Sequence, residues 1–117
     1  MKTLHIALSS LLAISGFLHV ALVSPFMYDR IDHEAVWFIS GGMLALTAGL
    51  ASYAVATARP PRRAASIAAL AGCVGVLLMA TALTQASVHL IRSPLVITYL
   101  ILSSLAGLLA LRTLIRG

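Results

Sequence analysis

The stretch Tyr28-Asp-Arg-Ile-Asp-His-Glu34 decides how this chain is read. It holds every acidic residue of the protein, Asp29, Asp32 and Glu34, together with Arg30 and His33. Residues 4–24 before it and 35–57 after it are apolar runs. A polar segment this short between two long apolar runs reads as a turn at a water-facing surface. Each run has the roughly 20 residues that an α-helix needs to cross about 30 Å of hydrocarbon.

Working outward, Arg59-Pro-Pro-Arg-Arg63 is the next boundary. Its prolines cannot continue a helix, and its arginines hold the turn in water. Residues 64–87 form a third run, Arg92-Ser-Pro94 a short turn, and residues 95–115 a fourth run. The runs do not alternate apolar and polar residues, which argues against membrane strands. Short connectors make consecutive helices antiparallel neighbours. The expected fold is all-α: a single-domain transmembrane four-helix up-down bundle over residues 1–117.

Composition points the same way. Only 9% of the 117 residues are charged and 61% are hydrophobic, whereas a soluble domain is about a quarter charged. A water-soluble globule of this composition would expose large apolar patches, so the lipid bilayer is the expected partner. The net charge of +5 is no nucleic-acid signature, because the basic residues sit at segment ends without aromatic interleaving. The lone Cys73 excludes an intramolecular disulfide and a cysteine-based metal site, and reads as a small packing residue. The first run is expected to be a span rather than a secretory signal. It is long, lacks a small-x-small cleavage site before Pro25, and contains His19. Pro25 is expected to end or kink it.

The basic residues are biased. Lys2, Arg59, Arg62, Arg63, Arg112 and Arg116 fall on one side of the bundle, and Arg30 and Arg92 lie beside the acids on the other. The positive-inside rule puts both termini and the Arg59–Arg63 turn in the cytoplasm. The Ala-Leu-Arg composition suggests the inner membrane of a bacterium. Small residues recur at four-residue spacing: Gly41, Ala45 and Gly49; Ala64, Ala68 and Gly72; Ala71 and Gly75; Ser103 and Gly107. Such stripes permit close approach of another helix, within this chain, in a second copy or in another membrane protein. Trp37 lies where an interfacial aromatic anchor belongs.

This orientation gathers unusual residues at the outer end. His19 lies about 7 Å below the end of the first span. His33, Asp32 and Glu34 are in the first outer connector, and His89 and Arg92 at the second, with Gln85 one turn beneath His89. Imidazoles and carboxylates ligate transition metals, histidines on different helices can hold haem iron, and a histidine can carry protons near neutral pH. The candidate metal ligands are His19, His33, His89, Asp32 and Glu34. The candidate ligand-binding residues are His19, His89, Gln85 and Trp37. A bland reading stands beside each: a solvated loop for His33 and the acids, a polar cap for His89, a helix–helix hydrogen bond for Gln85. His5, at the opposite side, reads as an interfacial residue. His19 is the strongest candidate, because an ionisable group inside a span is costly and turns to the bundle interior or a wet cavity. Its imidazole is expected to be neutral, with one donor and one acceptor. Ser15, one turn below, is positioned to satisfy one of them. Gln85 or His89 is the expected partner for the other, with Trp37 roofing the gap.

Gly16-Phe-Leu-His19 and Trp37-Phe-Ile-Ser-Gly-Gly42 resemble small, uncharacterised four-helix bacterial inner-membrane proteins. Those carry Gly-x-x-His in helix one and Trp-Phe followed by glycine in helix two. The resemblance covers about the first 50 residues and implies no activity. Small multidrug transporters match in length, but this first span lacks their membrane-embedded glutamate, and the charge bias departs from dual-topology fluoride channels. The expected function is binding of a metal ion, haem or a small apolar ligand near the outer face. The alternative is an accessory or structural subunit packing on another membrane protein or on itself. No nucleophile or oxyanion site supports catalysis by His19 or His89.

Overall fold

The computed structural model describes the backbone of residues 1–60, 62–86 and 93–116, and the side chains of all of these except His33 and residues 84–86. Every regular element described is helical. Helix α1, Lys2–Leu18, runs into a π-helical turn, His19–Val23, and then into the single turn α2, Ser24–Met27. Helices α3, His33–Thr57, α4, Arg63–Ala86, and α5, Pro94–Arg116, complete the bundle. Four rods are long and apolar enough to cross a membrane: Lys2–Met27, Glu34–Thr57, Arg63–Leu83 and Pro94–Arg116.

Pro25 does not end the first rod. It lacks an N–H, and its ring crowds the carbonyl four residues back. The wider π turn just before it relaxes this conflict, and the Ser24 N–H reaches back to the His19 carbonyl. The Ser24 hydroxyl donates to that same carbonyl at 2.7 Å. The rod then runs to Met27 and breaks at Tyr28, which is extended. Asp32 caps α3, its Oδ1 accepting the Ala35 N–H at 2.9 Å. Glu34 adds a favourable negative charge in the first turn.

Consecutive rods pack on one another, and α5 closes back onto α1. The core between them holds Leu8, Leu12, Ala45, Cys73, Val76, Tyr99 and Leu102. Glycines set the tightest approach. A Cβ at Gly16 would fall on the backbone of Leu46 and Gly42, and one at Gly49 on the backbone of Ala13. The α1–α3 seam is therefore backbone against backbone. Ser103 and Gly107 are both buried. The stripes read in the third run largely face outward, for Ala64, Ala68 and Ala71 are exposed. The inner face of α4 is instead Ser66, Ala69, Cys73, Val76 and Ala80. Small size alone did not distinguish the two faces of a helix rich in alanine. Large apolar side chains cover the outside, Leu78 67% and Ile115 75% exposed among them.

Candidate functional site

His19 stands at the start of the π turn and is only 4% exposed. The π turn offsets the helical register there, and such bulges concentrate at functional sites. Glycine makes room for the ring. A Cβ on Gly42 would lie 2.9 Å from His19 Cγ, and one on Gly41 would lie 3.8 Å from its Cε1. The imidazole packs on Phe38, with ring centroids 4.2 Å apart, and lies nearly parallel to Tyr99 at 5.6 Å. Tyr28 packs in turn on Phe38, with ring centroids 5.5 Å apart.

One ring nitrogen is engaged. His19 Nδ1 lies 2.6 Å from Tyr99 Oη. The phenol has no second hydrogen-bond partner among the described residues. A buried O–H left undonated is costly, so Tyr99 donates to Nδ1. That assignment leaves the proton on Nε2. Nε2 is sealed from solvent and makes no hydrogen bond to any described group. The Phe38 backbone also interacts with the imidazole, without meeting the geometry of a hydrogen bond to Nε2. The wall near Cε1 is soft: Met79 Sδ lies 2.9 Å from the position a Gly41 Cβ would take, and a thioether on three rotatable bonds repacks readily.

This differs from the sequence expectation in its partners. The hydroxyl beside His19 belongs to Tyr99 on α5, not to Ser15. The aromatic ring against it is Phe38, while its neighbour Trp37 is 69% exposed. The side chains of Gln85 and His33 lie outside the described residues, as do His89 and Arg92. Asp32 spends its carboxylate on capping α3, and Glu34 is exposed. Among the described residues no three His, Cys, Asp or Glu side chains gather as a metal site.

His5 is also buried, 5% exposed. Its Nε2 lies 2.9 Å from Ser52 Oγ, which is 2.8 Å from Ser9 Oγ. Ser9 donates to the His5 carbonyl at 2.7 Å. This cluster ties α1 to α3, so His5 has a packing role within the bundle. The sequence signal was available: His5 and Ser9 share one helical face. Tyr99 was missed because a tyrosine in an apolar run reads as core; its polar handle, which needs a partner when buried, was the clue.

Comparison with protein-family models, curated proteins and solved structures finds no match for this chain.

Proposed function

We propose that this chain is a multi-pass membrane protein that binds a small, largely apolar molecule through His19, near the end of the bundle that carries the acids. Its rods are taken to run up and down across the inner membrane of a bacterium, with both termini in the cytoplasm. Their length and apolar surface support insertion, and the arginine bias supports the orientation. The observation that carries the function is the enclosed Nε2 of His19, which completes no hydrogen bond among the described residues. Held by Tyr99 in the form that donates from Nε2, it suits a carbonyl or ether oxygen on an otherwise apolar ligand. The wall of Phe38, Tyr99 and Met79 suits the rest. Ligand sites are typically apolar with a few placed polar groups.

The metal and haem readings rest on the same nitrogen with its proton moved to Nδ1, which would oblige Tyr99 to accept rather than donate. The test extracts the protein from its native membrane into polymer-bounded discs and identifies what is released on denaturation. The expected result is one oxygen-bearing apolar molecule near one per chain, lost in His19→Leu and retained in Met43→Leu, a change on the exposed surface. A Soret band or a stoichiometric metal lost in His19→Leu would replace this ligand with haem or metal. Identical contents in all three proteins would overturn the site.

A further inference from the structure

The opposite end of the bundle holds a second feature. A cavity of about 380 Å³ is lined by Lys2, Arg62, Arg112 and Arg116, with His5 at its wall. A neighbouring cavity of about 520 Å³ shares Arg62 and Arg116 and adds Arg63. The chain's three acids all lie within residues 29–34, and none lines either cavity. Among the described residues, these cations therefore line one space with no carboxylate between them. Like charges converging on one space repel, and an anion there removes the repulsion. Arg62 gives the independent sign. Its Nε is screened from solvent and makes no hydrogen bond to any described group, although a guanidinium carries five donors in a fork that matches phosphate. Ala56 and Leu109 supply an apolar wall to the first cavity, and its volume leaves room for more than a bare phosphate.

We propose that the Arg62–Arg116 cavity binds a phosphoryl group, carried by an anionic phospholipid headgroup or by a free phosphate. The site is separate from His19 and rests only on the bundle being embedded in lipid.

The experiment places the protein in nanodiscs of equimolar phosphatidylcholine and phosphatidylglycerol and measures retained lipid by native mass spectrometry. Phosphatidylglycerol is expected to be retained in preference. A guanidinium seated on a phosphoryl oxygen makes charge-assisted hydrogen bonds, so Arg62→Gln and Arg116→Gln should each lower that preference by about fivefold. Arg59→Gln, an exposed arginine that lines neither cavity, should change it by less than about twofold. Circular dichroism of each variant checks that the helices persist. In a second arm, inorganic phosphate is added to discs of phosphatidylcholine alone, at ionic strength matched with chloride. Thermal stabilisation there that is lost in Arg62→Gln identifies free phosphate as the source; lipid preference without it identifies the headgroup. Equal losses in Arg59→Gln and Arg62→Gln, or neither lipid preference nor phosphate stabilisation, would overturn the proposal.

Discussion

Tyr99 Oη lies 2.6 Å from His19 Nδ1, across 80 residues of sequence. This contact joins the first rod to the last and sets which nitrogen of His19 carries the proton. In a bilayer such interhelical hydrogen bonds average about 0.6 kcal/mol and reach about 1.7 kcal/mol. Tyr99→Phe should therefore lower unfolding stability in detergent by about 1 kcal/mol. Combined with His19→Leu, it should cost less than the two single changes together, because each alone already removes the bond. Strict additivity in that double-mutant cycle would show that the two side chains do not interact.

The glycines make a graded prediction. A methyl at Gly49 meets the Ala13 backbone, which cannot yield without moving the helix, whereas a methyl at Gly75 meets the Leu44 side chain at 3.5 Å, an ordinary contact. Gly49→Ala should cost about 1–3 kcal/mol, as overpacking does. Gly75→Ala should be neutral or stabilising by up to about 1 kcal/mol, since alanine favours the helix. Thermal unfolding of the two variants side by side checks this, and equal effects would mean that the α1–α3 seam is looser than described.

Gly42 should couple packing to binding. Its added methyl would meet Val20 Cγ2 at 2.8 Å and His19 Cγ at 2.9 Å, so the ring must shift off Phe38. If His19 binds the proposed molecule, Gly42→Ala is expected to lose it while circular dichroism still reports a helical protein. Full retention of ligand by this variant would separate the ring position from the site.

The fold was legible because length and apolarity are additive along a run. Arg59-Pro-Pro-Arg-Arg63 and the acidic connector mark boundaries that no partner is needed to interpret. The site was only half legible. His19 stands out in sequence as a histidine deep within an apolar run. Its partner Tyr99 does not, because pairing across 80 residues depends on how α5 rotates against α1, and the π turn at His19–Val23 shifts the facing positions by an amount that no periodicity announces. Phe38 rather than Trp37 meets the ring for the same reason: adjacent positions on a helix point about 100° apart, and only the packed register chooses between them.

Topology is open to a direct check. In a Cys73→Ala background, single cysteines at Asp32 and at Arg59, both exposed positions, should be labelled by a membrane-impermeant thiol reagent from opposite sides. Asp32 should react in intact spheroplasts, and Arg59 only after the membrane is opened. The reverse pattern would place the His19 end in the cytoplasm.

The central claim, that Nε2 of His19 is the recognition group, is tested most directly by nitrogen NMR of the protein in nanodiscs with ring-¹⁵N histidine, before and after adding the total apolar extract of the source membrane. Before addition, His19 should show a protonated Nε2 and an unprotonated Nδ1 that accepts a hydrogen bond. After addition, the His19 Nε2 resonance should move while the His5 ring, held by Ser52 at the other end of α1, stays in place. A proton on Nδ1, or a His19 Nε2 resonance unmoved by the extract, would contradict the account.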